Sequence, residues 1–90
     1  MIEREVEIRN PLGLHARAAA RFVRLASQFQ AHVKVERNGR VMDGKSILGM
    51  LLLAASKGTR LRLLVEGEDE TLAAEALSAL VASGFGEVAE

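Results

Sequence analysis

Apolar and polar residues alternate over the first eight positions. Ile2, Val6 and Ile8 fall on one side and Glu3, Glu5 and Glu7 on the other, with Arg4 the one polar residue on the apolar side. This period of two predicts a half-buried strand. Pro11 and Gly13 interrupt it, and from Ala16 the period lengthens. Ala19, Phe22, Val23, Ala26 and Phe29 recur at helical spacing, while Arg17, Arg21 and Arg24 share a different face. Alternation then resumes, with Val33 and Val35 pointing in and Lys34 and Glu36 out. Asn38-Gly39 predicts a two-residue hairpin turn, since both residues accept positive φ, and Val41 and Met42 begin the return strand.

"DGKSILGMLLLAASKG" reads as a turn leading into a short helix, with Ser46 as its N-cap. Met50, Leu52, Leu53 and Ala54 suffice to bury one side of it, which leaves Ile47, Leu48 and Leu51 for the other. "TRLRLLVEG" alternates again, with Leu61, Leu63 and Val65 inward against Arg60, Arg62 and Glu66. The last pattern, "EDETLAAEALSALVASGFG", reads as a helix with acids in its first turn, the arrangement the helix dipole favours. Leu72, Ala76, Leu77 and Leu80 are its expected core residues and Gly84 its C′ residue.

The element order is β-α-β-β-α-β-α. Four alternating strands need cover on one face only, and three amphipathic helices can supply it. The expected fold is therefore α+β, an open-faced sandwich with a four-stranded antiparallel sheet and three helices on one face. No linker, repeat or low-complexity tract interrupts the pattern, so residues 1–90 read as a single domain.

Composition narrows the function. The 90 residues are 49% apolar, enough for a core, with three Phe as the only aromatic residues. Twelve basic residues balance twelve acidic ones, which argues against a general nucleic-acid binder. Without cysteine there are no disulfides and no thiolate metal site. The longest apolar run, Met50 to Ala55, is far short of a membrane span, and "MIEREVEIRN" lacks the basic start and apolar stretch of a signal peptide. The expectation is a cytoplasmic protein without membrane insertion.

His15 carries the candidate chemistry. It stands between the glycine-marked turn at Gly13 and the first turn of the Ala16 helix, where unpaired amides and the helix dipole favour an anion. Arg17 adds a charge-assisted donor. Two readings stand side by side: a solvated histidine near a helix start, or a nucleophile whose phosphorylated form is stabilised in place. Arg24 reads as part of a solvated face. His32 falls on the outer side of its strand with no carboxylate or histidine at ligand spacing, so no metal site is assigned. Ser46 is either a helix cap and nothing more or a modifiable hydroxyl. Ile47, Leu48 and Leu51 are either core or an exposed patch for partner docking.

"GLHARAAARFV" resembles the active-centre motif of the HPr family, the phosphocarriers of the bacterial phosphoenolpyruvate-dependent phosphotransferase system. "NGRVMDGKSILGMLLLAASKGT" is similar to the family's second signature, around its regulatory serine, and the likeness extends to the closing "SGFGE". The resemblance implies that His15 takes a phosphoryl group on Nδ1 from enzyme I and passes it to IIA-type domains. It implies that Arg17 and the first helix amides stabilise that group, and that an HPr kinase/phosphorylase acts at Ser46. The region of Ile47, Leu48 and Leu51, with Arg21 on the first helix, would meet the partners. No bound cofactor is implied, and a monomer suits a carrier that must expose its site.

One position departs from the family. The usual His-Ala-Arg-Pro is here His-Ala-Arg-Ala, with Ala18 in place of proline. Alanine suits a first turn as well as proline does, so the fold should not change. The departure brings in a regulatory paralogue, for example of the nitrogen-related branch, as the alternative to the sugar-uptake carrier. A third reading, a small ligand-binding α+β domain, finds no Gly-rich phosphate loop beyond the His15 turn.

Overall fold

The computed structural model describes residues 1–87. Along the chain lie β1 (Ile2–Glu7), α1 (Ala16–Ala26), β2 (His32–Arg37), β3 (Arg40–Asp43), α2 (Ile47–Leu52), β4 (Arg60–Glu66) and α3 (Glu70–Ala82). This is the order the hydrophobic pattern predicts. The strands form one antiparallel sheet in the order β1-β4-β2-β3. The expected domain of residues 1–90 ends in 88–90, which lie outside the described residues.

Register follows burial. Val33 pairs with Val65 and Val35 with Leu63 between β2 and β4, and Val6 pairs with Leu61 between β1 and β4. Val33, Val35, Leu61, Leu63 and Val65 are buried beneath the helices, whereas Glu3, Glu5, Glu7, His32, Lys34, Arg60 and Arg62 face water. A slip of one residue would exchange the two sets, so the register is strongly specified. Arg4 sits on the inner face opposite Leu63, half-buried, its long stem suited to a sheet margin. Asn38 and Gly39 both take positive φ, 50° and 82°, and close the β2–β3 hairpin as expected.

The helices bury an apolar stripe against one another and the sheet. In α1 these are Ala18, Ala19, Phe22 and Ala26. The helix stops at Ala26, so Phe29 packs half-buried from the following turn. Together with Ile8, Met50, Leu53, Leu77 and Phe85 they make one hydrophobic core. No helix among the described residues is long and apolar enough to cross a membrane.

Two helix phases differ from the sequence expectation. In α3 the buried stripe is Ala73, Ala74, Leu77 and Val81, while Leu72 is 65% exposed and Ala76 and Leu80 are half-buried. Small side chains at 73 and 74 let the helix backbone come close to β1 and β4, and Leu72, one residue earlier, is carried about 100° round to solvent. In α2 the core side is Gly49 and Met50, continued by Leu53 and Ala55. Leu52 and Ala54 are exposed, and Leu51 packs half-buried against the core. Leu48 and Leu52 are four residues apart and so share the outer side, and Ala54 is turned out where the chain leaves the helix at φ 50°.

Candidate functional site

Gly13 begins the site. It takes φ 70°, and the Leu14 N–H donates to the Ala55 carbonyl at 2.8 Å, tying this loop to the chain leaving α2. His15 follows as the N-cap of α1, with extended backbone at φ −82° and ψ 179°. Its own Nδ1 accepts the Arg17 N–H at 3.2 Å, so the ring itself plays the part that a serine or aspartate usually plays at this position. The carbonyl of His15 accepts the Ala19 N–H at 2.8 Å, the first full turn of the helix.

The imidazole is half-buried, and its other nitrogen is also engaged. Nε2 meets Glu87 Oε2, and Glu87 Oε1 accepts from Asn10 Nδ2 at 3.0 Å. The same Asn10 Nδ2 donates to the Gly13 carbonyl at 2.7 Å. The hydrogen bond from His15, and after it that from Asn10, hold the Glu87 carboxyl below its ordinary value against the opposing effect of burial. The charges of His15 and Arg21 act in the same downward direction.

Glu87 arrives at this place through the end of α3. Gly84 is the C′ residue, at φ 71°, and Phe85 and Gly86 also take positive φ. The turn returns the chain over α1, with Phe85 fully buried as its anchor. Arg21 donates from Nη1 to the Phe85 carbonyl and is half-buried. Arg17 is exposed beside His15.

Ser46 caps α2 by accepting the Gly49 N–H at 3.0 Å. Ile47 and Leu48 are 45% and 67% exposed, and with Leu52 they form an apolar surface on a helix that packs against α1. Leu51 lies on the inner margin of that surface. The other end of α2 is held from the hairpin. Arg37 donates from Nη1 to the carbonyls of Leu53 and Ala54 at 2.7 and 2.8 Å, and Arg40 to that of Leu52 at 3.1 Å.

The structure thus places His15 and Arg17 together at one helix start and leaves His32 on the opposite face of the sheet. Sequence reasoning missed Asn10 and Glu87. Asn10 lies in the break that Pro11 and Gly13 mark, and "SGFGE" carries only a family likeness. The one available signal was a carboxylate three residues after a C′ glycine, which does not say where the returning chain points.

The family model for the PTS HPr component phosphorylation site matches residues 2–83. The phosphocarrier protein HPr of Cupriavidus necator is 49% identical over 87 residues, 97% of this chain and 98% of the relative. Among solved structures, HPr-C-His from Thermoanaerobacter tengcongensis superposes with a TM-score of 0.93 at 44% identity, covering 98% of this chain and 99% of that one. Crh, the Bacillus subtilis catabolite repression containing protein, matches with a TM-score of 0.76 at 43% identity, covering 93% and 97% of the two chains. The Crh crystal structure is described as a swapped dimer.

Proposed function

Because the chain belongs to the HPr family, the phosphocarriers of the phosphotransferase system, we propose that it relays a phosphoryl group from phosphorylated enzyme I to IIA-type proteins through His15. The observation that carries this reading is the ring's place as N-cap, with Nδ1 accepting the Arg17 N–H within the first turn of α1.

In this reading the Nδ1 lone pair attacks the phosphorus of the donor's phosphohistidine. The new N–P bond forms as the donor's own P–N bond breaks, and that electron pair returns to the donor imidazole. The incoming oxygens carry negative charge into a region of first-turn amides, which have no intrahelical acceptors. The exposed Arg17 guanidinium is the counter-charge beside them. Ala18 keeps an N–H that proline would lack, which adds to this set of donors. A half-buried ring at a loop suits a group that two partners must reach in turn.

The exposed Ile47 and Leu48, with Leu51 at their margin and Arg21 on α1, are proposed to dock those partners. Phosphorylation of Ser46 by an HPr kinase would add roughly −1.5 to −2 charges beside this surface and oppose docking of an acidic partner. Such a step would give the chain a regulatory role of the kind the Crh likeness suggests. The carrier acts as a monomer in this reading, since each partner must meet the same exposed nitrogen.

Incubation with phosphoenolpyruvate and enzyme I of the same host, followed by intact-mass measurement, tests the relay. An acid-labile phosphate on wild type and none on His15→Ala is the expected result. Wild type that stays unmodified overturns it.

A further inference from the structure

We propose that Glu87 is a positioning residue for phosphoryl transfer: its carboxylate keeps the ring proton of His15 on Nε2, and so keeps Nδ1 unprotonated as the nucleophile. This rests on the reading of His15 as the phosphoryl acceptor and assigns a role to a residue 72 positions away in the chain.

The hydrogen-bond partners leave one tautomer. A neutral imidazole has one N–H and one lone pair, and an ionised carboxylate only accepts. Glu87 at Nε2 therefore requires the proton there. The Arg17 N–H only donates, so Nδ1 must accept. Both contacts select the same form of the ring, the form whose free lone pair lies on the nitrogen at the helix start.

Glu87 is itself constrained. Asn10 Nδ2 donates to Glu87 Oε1 and to the Gly13 carbonyl, two acceptors, so the Asn10 amide cannot turn over without setting its oxygen 2.7 Å from another oxygen. Phe85 anchors the returning segment in the core, and Arg21 holds its carbonyl. An oriented carboxylate on the far side of a reacting imidazole is the arrangement that fixes ring tautomer and balances ring charge in acyl-transfer sites.

It would also balance this transfer. When the Nδ1 lone pair forms the bond to phosphorus and the donor's P–N bond breaks, the Nε2 proton stays in place and the ring becomes cationic. The Glu87 carboxylate lies against that charge. When the group departs, the electron pair returns to Nδ1 and the ring is neutral again. Neither step requires a proton to arrive or leave.

The Asn10 amide makes the test unusually sharp. In Glu87→Gln, Asn10 still presents a donor, so the glutamine oxygen faces Asn10 and its NH2 faces His15. A donor at Nε2 then opposes the Arg17 N–H at the other nitrogen, and the Nδ1–H form it favours has a blocked nucleophile. Glu87→Ala merely exposes Nε2 to water, and the Arg17 N–H still favours an unprotonated Nδ1.

The experiment measures the rate of phosphorylation by phosphoenolpyruvate and enzyme I for wild type, Glu87→Ala and Glu87→Gln. Ring-nitrogen NMR of 15N-labelled protein reads the tautomer of each. We expect about a tenfold loss for Ala and a loss on the order of a hundredfold for Gln, since a displaced tautomer costs more than a lost hydrogen bond. The Gln ring should shift toward the Nδ1–H form. A Gln variant as fast as wild type, or faster than Ala, overturns the inference, because a merely structural role would favour the isosteric residue. Urea melts of both variants check that they fold. If wild type takes no phosphate, the carrier reading fails and the transfer role of Glu87 fails with it, while unaltered ring spectra in Gln would refute the positioning alone.

Discussion

Gly13 lies directly against the carbonyl of Ala55: a Cβ added at Gly13 would stand 2.7 Å from that oxygen and 3.0 Å from the Cα of Ser56. The contact joins the loop that carries His15 to the chain leaving α2, and both of its walls are backbone. Gly13→Ala must therefore separate the two loops as well as hold alanine at φ 70°. Gly39→Ala isolates the second effect, for Gly39 takes φ 82° with nothing within 4 Å of its added Cβ. The turn variant should lose about 1 kcal/mol. The Gly13 variant should lose roughly 3 kcal/mol, since backbone must move, and phosphate uptake on His15 should fall with it. Urea unfolding of both variants checks this; equal losses would show that the Ala55 contact is easily relieved.

Leu72 separates the two possible phases of α3, and Leu77, inward in both, is its reference. Leu77 is fully buried and Leu72 is 65% exposed. Leu77→Ala should cost about 2–5 kcal/mol through lost burial and a cavity. Leu72→Ala should change stability by less than about 0.5 kcal/mol. Paired chemical denaturation curves decide the matter, and a Leu72 loss as large as that of Leu77 would restore the buried stripe that the sequence pattern predicts.

That pair also shows where the sequence stops being informative. The strands were readable because charged residues alternate with Val and Leu, so only one face of each could be buried. The Asn38-Gly39 turn, the Ser46 cap and the Gly84 C′ position were readable because each depends on a local backbone requirement. In "TLAAEALSALVA" and "ILGMLL", apolar residues occupy nearly every side of the helix, and several stripes would serve as the buried one. The sheet chose the stripe with Ala73 and Ala74, where the backbones can approach. His15 and Arg17 could be found because they are neighbours in sequence. Asn10 and Glu87 could not, since their meeting depends on three successive positive φ values after α3. The same holds for Arg37 and Arg40 at the end of α2, whose partners are carbonyls with no sequence signature.

Ser46 allows its cap to be separated from its proposed regulation. Its hydroxyl oxygen accepts the Gly49 N–H at 3.0 Å. Ser46→Ala removes that acceptor and should lower stability by ~1 kcal/mol. Ser46→Asp keeps an acceptor and adds negative charge at a helix start, so its stability should match wild type within a few tenths of a kcal/mol. If the charge opposes docking as proposed, Ser46→Asp should be the poorer phosphoryl acceptor although it is the better folded of the two variants. Melting curves and phosphorylation rates on the same preparations test both halves. An aspartate variant that is phosphorylated as fast as alanine would leave Ser46 only its cap.

Asp69 ties the turn after α1 to the start of α3, and its charge sets a pH limit on that tie. Its two carboxylate oxygens accept the N–H groups of Gln30 and Ala31, each at 2.9 Å. The Gln30 bond lowers the carboxyl below its ordinary value of 3.8, as do the Ala31 bond, its own N–H and the charge of Lys45, while burial opposes them. A carboxyl depressed on folding stabilises the protein fully above its unfolded value, and that contribution disappears as pH falls through the lower folded value. Asp69→Asn retains one acceptor oxygen and cannot serve both amides with a charged partner. At pH 7 the variant should melt below wild type. The difference should persist down to about pH 4 and shrink below 3.8, as the wild-type carboxyl takes up its proton. Glu87, also held low, titrates in both proteins and drops out of the comparison. Thermal melts of the pair from pH 7 to pH 2.5 supply the measurement; a difference that stays constant across the range would mean that Asp69 acts through its shape and not its charge.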